Sequence, residues 1–168
     1  NALPIIESQS VLRSNLGIPQ QAFVLTLTSR AMEEKGWQEA IDIVTAARKL
    51  SGKDIHLLLV GDGAEYDRML ALELPEYIHL EGFQRNVRGY FAVADVGFLP
   101  SKFRGESFPL VIIDCLQAGR PFLASNLGDI AYMLDSPDGP AGILVELDGA
   151  GINIQLWAEK IDALASDK

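Results

Sequence analysis

The chain has 168 residues, 48% of them hydrophobic and 22% charged, and its 14 Lys+Arg against 23 Asp+Glu give a formal net charge of -9. That is material for one domain with a sizeable core and too little for a second independent fold. The acidic balance argues against a nucleic-acid partner, whose affinity comes largely from Lys and Arg neutralising phosphates, and no apolar stretch approaches the ~20 residues that span a bilayer.

Residues 1–20 contain Pro4 and Pro19 with little periodicity and read as an incoming linker, leaving residues 21–168 as the folded domain. Short runs rich in Val, Ile, Leu and Phe at 23–28, 56–60, 77–80, 96–99, 122–124 and 143–145 predict about six strands. The first is followed by Ser29-Arg30 and Glu33-Glu34-Lys35-Gly36. Arg30 and Lys35 either face an anion beside a helix N-terminus or sit in a solvated loop neutralised by Glu33 and Glu34. Trp37, Ala40, Ile41, Val44, Ala47 and Leu50 then follow the spacing of one buried helix face.

The second strand opens into Gly61-Asp62-Gly63-Ala64, where Gly61 permits either a tight turn or close approach to a ligand. Tyr66 stands where the third glycine of a dinucleotide fingerprint would fall, so that fingerprint is not supported. After the third strand, Gly82 allows a turn, Phe83 either lines a planar base pocket or packs on the core, and Asn86 is a candidate N-cap. His56 and His79 fall in or beside strands, which favours structural roles.

The richest loop, residues 100–109, follows the fourth strand and leads into helical residues 110–118, stopped by Gly119 and Pro121. Ser107 is a candidate N-cap, and Pro109 suits a first turn whose N–H groups lack intrahelical partners. The helix is apolar nearly all round and should be central, with Cys115 as a buried core thiol. A single cysteine excludes an internal disulfide and points to a reducing compartment. Glu106 and Asp114 either flank one pocket at the strand ends, or are a first-turn acid complementing the dipole and an acid on a wet stripe. Residues 151–165 form a last amphipathic helix, with Leu156, Trp157, Ile161 and Leu164 on one side. Strand and helix alternate throughout, which predicts an α/β, doubly wound, mostly parallel Rossmann-like sheet with ligands outside the carboxyl ends of the strands.

In order and spacing, Ser29-Arg30, Glu34-Lys35-Gly36, Val60-Gly61-Asp62-Gly63, Glu81-Gly82-Phe83, Leu99-Pro100-Ser101, Glu106-Ser107-Phe108, Ala118-Gly119-Arg120-Pro121 and Asn126-Leu127-Gly128 resemble one family. It is the nucleotide-binding C-terminal domain of group 1 glycosyltransferases, retaining enzymes of GT-B architecture. The resemblance implies a donor nucleotide diphosphate sugar, a UDP- or GDP-sugar, with no separate cofactor and no metal. It places Arg30 and Lys35 on the diphosphate, Glu106 on the donor sugar and Asp114 on the ribose. Phe83 and Gln84 fall on the base side, Gly61 is a further donor-binding candidate, and Ser107, Phe108, Pro109 and Leu110 lie at the helix entrance. It further implies an N-terminal Rossmann-like domain of the same full-length chain bearing the acceptor site, without which this fragment binds donor but transfers nothing. The acceptor is open among glycans, lipid-linked molecules and others. The expected location is the cytoplasm or the inner face of a membrane, any peripheral contact running through the missing half. The sequence departs from the family pattern at Pro109, Asp114, Asp129 and Tyr132. A catalytically silent GT-B-like interaction module and half of a GT-B sugar-nucleotide epimerase are the rival readings.

Overall fold

Six apolar runs pair into one sheet in the computed structural model, which describes residues 13–149 and 151–167. The strands are β1 (Phe23–Thr28), β2 (Ile55–Val60), β3 (Ile78–Gly82), β4 (Val96–Leu99), β5 (Phe122–Ser125) and β6 (Gly142–Val145). The helices are α1 (Trp37–Ser51), α2 (Ala64–Leu70), α3 (Val87–Val93), α4 (Val111–Gln117), α5 (Ile130–Leu134) and α6 (Ile154–Ser166). All strand pairs are parallel and the order is β3-β2-β1-β4-β5-β6. This is the doubly wound Rossmann arrangement.

Because strand side chains alternate between faces, each central strand feeds two layers. Leu25, Leu27, Leu57 and Leu59 pack with Trp37, Val44, Trp157 and Ile161 of α1 and α6. Val24, Leu58 and Val60 face Val93, Ala94 and Tyr90 on the other side. Further along the sheet, Phe122 and Ala124 pack with Ile112, Cys115, Ile130 and Leu134 of α4 and α5. Burying each large apolar side chain stabilises by about 1.5–3 kcal/mol, and a sheet covered on both faces explains why β1, β2, β4 and β5 are buried at every position.

β1 and β4 have the expected bounds, β2, β5 and β6 each gain one residue at one end, and β3 starts one residue later and ends two residues later than expected. Tyr77 is left out of β3; its hydroxyl meets Thr45 Oγ1 at 3.1 Å and its ring lies under Arg48. Leu50, expected on the buried face of α1, is 48% exposed because it lies past Ala47, the last buried residue, where Gly52 caps the helix in the left-handed region. Residues 1–12 of the expected linker lie outside the described residues. From Arg13 the chain is docked: its buried guanidinium donates to the carbonyls of Val93, Gln20 and Ala22 and meets Asp95 Oδ2 at 3.2 Å, while Ile18 is buried.

His56 and His79 stack near the amino ends of β2 and β3, with His56 Nδ1 2.9 Å from His79 Nε2 and His56 Nε2 3.1 Å from Asp54 Oδ1. Burial, and then the neighbouring His56, push His79 down to about 4, while burial outweighs the attraction of Asp54 and lowers His56 as well. Arg48 and Glu76 also act on this pair. The folded state therefore resists protons that the unfolded chain takes up near pH 6.5. The stabilisation is complete above about pH 6.5 and lost as pH falls towards 4. Lowering pH from 7.5 to 5 should cost roughly 1 kcal/mol after discounting for solvent screening. His79→Asn should flatten that dependence in thermal melts, and an unchanged slope would refute the assignment.

Candidate functional site

In the strand order β1 sits between β2 and β4, so the connections leaving β1 and β4 run in opposite directions and a crevice opens at their carboxyl ends. The loop after β1 ends in a 3-10 turn, Glu33–Lys35, closed by Gly36 at φ 75°. A Cβ at Gly36 would lie 1.9 Å from Pro100 O, so the loops after β1 and β4 meet backbone to backbone. Lys102 N donates to Glu34 O at 2.7 Å, and the Lys102 ammonium pairs with Glu39 on α1.

This contact delivers Lys35 to Glu106. Lys35 Nζ lies 2.5 Å from Glu106 Oε2, with the two side chains 12% and 7% exposed. Ser101 Oγ donates to the same carboxylate oxygen at 3.1 Å, and the Phe103 ring covers the ammonium at 4.8 Å. A nearly buried ion pair of this kind persists only when its charges face each other and further hydrogen bonds satisfy them, as here.

Two cavities meet at the end of β1 and share Thr28, Ser29 and Arg30 in their walls. One, of about 150 Å³, is closed by Gly61, Asp62, Phe83, Gln84 and Val87. The other, of about 170 Å³, is closed by Lys35, Glu106, Pro109, Leu110 and Val111. The first owes its shape to a second backbone approach, since a Cβ at Gly61 would fall 1.9 Å from Ser29 O. Phe83 is 66% exposed, and Gln84 Nε2 donates to Glu81 O at 2.8 Å, while its amide oxygen has no hydrogen-bond partner among the described residues. Arg30 is exposed, and among the described residues nothing hydrogen-bonds or ion-pairs with its guanidinium.

Arg30, Lys35, Glu106, Gly61, Phe83, Gln84, Pro109 and Leu110 thus line the crevice, whereas Ser107, Phe108 and Asp114 do not border either cavity. α4 starts at Val111 with Leu110 in the cap position, so Ser107 is not its N-cap. The first turn is built on Pro109 and Leu110, whose carbonyls accept from Ile112 N and Ile113 N, while Ser107 O accepts from Asp129 N in the loop after β5. The helix is also less central than its composition suggests: Ile112 and Cys115 are buried, but Leu110 before it is 67% exposed and Ile113 37%. Burial drives the Cys115 thiol up to about 12. Asp114 lies one turn into α4 and meets Arg88 Nε of α3 at 3.0 Å. Asn86 caps α3 as expected, its side chain accepting from Gly89 N. Sequence reasoning assigned no role to Arg88, Ser101 or Phe103, although Ser101 stands in the Leu99-Pro100-Ser101 motif, because their contacts form only once the loops are packed. Among the described residues no group of three or more His, Cys, Asp or Glu could hold a metal ion, and no helix is long and apolar enough to cross a membrane.

A parallel sheet with a cation-bearing crevice at its point of reversal defines a doubly wound nucleotide-binding type of domain. The chain belongs to the group 1 glycosyl transferases, whose family pattern it matches over residues 22–167. It is 32% identical over 149 residues to the N-acetyl-alpha-D-glucosaminyl L-malate synthase of Bacillus anthracis, covering 84% of this chain and 37% of that protein. It is 28% identical over 169 residues to a D-inositol 3-phosphate glycosyltransferase of Corynebacterium urealyticum, covering 92% and 38%. The chain therefore spans well under half the length of these relatives. In structure it resembles Anabaena HepE in complex with UDP-glucose, with TM-score 0.78 and 24% identity over 99% of this chain and 44% of that one. It also resembles WaaG, a glycosyltransferase involved in lipopolysaccharide biosynthesis, with TM-score 0.77 and 20% identity over 98% and 43%. These likenesses carry the GT-B-type fold.

Proposed function

We propose that this chain is the donor-binding half of a retaining glycosyltransferase that takes a nucleotide diphosphate sugar. The observation that carries the reading is the paired crevice, whose two cavities share a wall bearing the Arg30 guanidinium, unengaged among the described residues. A donor laid across it puts its base beside Phe83, Gln84 and Gly61, its diphosphate over Arg30, and its sugar towards Glu106. Departure of the nucleoside diphosphate develops negative charge on the leaving oxygen as the sugar becomes oxocarbenium-like. Arg30 is placed to stabilise that charge. Lys35 contributes from the same side, since an ammonium has three donors and Glu106 engages one. Asp114 reaches the ribose only if the Arg88 pair yields or is carried with it.

UDP is the first nucleotide to test, in keeping with the HepE complex, and GDP the second. The acceptor site and the transfer step belong to an N-terminal Rossmann-like partner domain, with the whole acting in the cytoplasm or at the inner face of a membrane. Isothermal titration should show UDP binding, and Arg30→Ala should weaken it by about tenfold or more, as loss of a charge-assisted hydrogen bond does. A folded chain that takes neither UDP, GDP nor their sugars sinks the reading. That result is what a silent interaction module predicts, a rival favoured by the ion pairing of both acids, Glu106 with Lys35 and Asp114 with Arg88.

A further inference from the structure

Along β1, Thr26 and Thr28 are two residues apart and point to the same face of the sheet. Thr26 Oγ1 donates to Tyr90 O at 3.4 Å. Thr28, 8% exposed, has no such outlet: its Oγ1 is buried and without a hydrogen-bond partner. Ser125 Oγ, Arg120 Nε and Trp157 Nε1 share that condition among the described residues, but only Thr28 borders the two cavities at the head of the sheet. It sits in their common wall, where Val87 opening α3 borders one cavity and Val111 opening α4 borders the other. A strand rich in β-branched and aliphatic residues loses nothing in packing if Val replaces Thr at such a place, and it sheds an unsatisfied polar group. The hydroxyl is therefore a liability to the fold unless something entering the crevice uses it.

We infer that Thr28 Oγ1 is a donor-nucleotide ligand that gives its hydrogen to an oxygen of the ribose–diphosphate segment of a nucleoside diphosphate. The placement follows from the shared wall: whatever spans both cavities has to cross Thr28 and Arg30 at its middle. Phosphate oxygens only accept, so the Thr hydroxyl must donate to them, complementing the cation with a neutral, directional contact. The assignment rests on the donor-site reading above and adds to it a residue that the motifs do not mark.

The test is UDP titration of Thr28→Val, which keeps the shape and removes the hydroxyl, beside Thr28→Ser, which keeps the hydroxyl, and Arg30→Ala. Thr28→Val should raise the UDP dissociation constant about tenfold, as loss of one hydrogen bond does, while Thr28→Ser stays within about threefold of the parent. The melting temperature of Thr28→Val without nucleotide should be equal to or above that of the parent, because no protein hydrogen bond is lost. A parental UDP affinity in Thr28→Val, alongside weakened Arg30→Ala, overturns the Thr28 assignment and leaves the donor site standing. It would mean that the hydroxyl stays unpartnered with nucleotide bound as it is without. A melting temperature lowered in Thr28→Val and restored in Thr28→Ser, both without nucleotide, overturns it too, since the hydroxyl would then serve the fold. If the parent chain takes up no UDP, the donor-site reading and this assignment fall together.

Discussion

Lys35→Met should lower the stability of the chain by about 3 kcal/mol, and combining it with Glu106→Gln should recover most of that loss. Removing the ammonium strands a carboxylate that is 7% exposed, with Ser101 Oγ as its remaining partner. Leaving one member of a nearly buried pair uncompensated is far more damaging than removing both charges, because a buried charge without its counterpart keeps its full desolvation penalty. For a chain of this length the single variant should melt about 6–12 °C lower. Melts of the two single variants and the double variant measure the coupling directly. If the effects simply add, the pair contributes no interaction energy and the close approach is incidental. The loss on the Lys35 side also bears on function, since the same ammonium borders the cavity proposed for the sugar and diphosphate.

Gly61→Ala should be at least as damaging, about 3 kcal/mol or more, through strain and overpacking together. Gly61 has φ 145°, a conformation L side chains rarely adopt, and the added Cβ would lie 1.9 Å from Ser29 O. Because the obstacle is backbone at the carboxyl end of β1, relief requires the loop carrying Ser29 and Arg30 to move. Nucleotide affinity should therefore fall together with stability, which chemical denaturation and UDP titration would register in parallel. A variant that folds as stably as the parent would show that the two loops are free to part.

The layered architecture was readable from the chain because each of its signals is local. The runs at 23–28 and 96–99 are dominated by Val, Leu and Phe and buried at every position, so covered parallel strands were the natural expectation, and the spacing of Trp37, Ala40, Ile41, Val44 and Ala47 marks one helix face. The place of the crevice was readable too, because Arg30, Lys35 and Glu106 lie in the loops that leave β1 and β4, whose carboxyl ends the fold gathers at one edge. What escaped depends on contacts between distant segments. Ser107 has the chemistry of a cap, but its carbonyl accepts from Asp129 N, and the helix begins at Val111, three residues after the Phe108 start that a Ser107 cap would give. Asp114 looks like a ligand until α3 brings up Arg88, 26 residues away in the chain. The Lys35–Glu106 pair joins residues 71 positions apart and is visible only once Gly36 touches Pro100.

That touch, with the one between Gly61 and Ser29, has a consequence for how ligand preference changes over time. Three loops around the crevice are wedged together through main-chain atoms, so none can be lengthened, tilted or refilled without dislodging its neighbours. Retuning, whether by natural drift or in a laboratory library, has to run through side chains that lean over the gap without bracing it. Phe83 and Leu110, 66% and 67% exposed at opposite mouths, are the positions where diversity should be tolerated and rewarded.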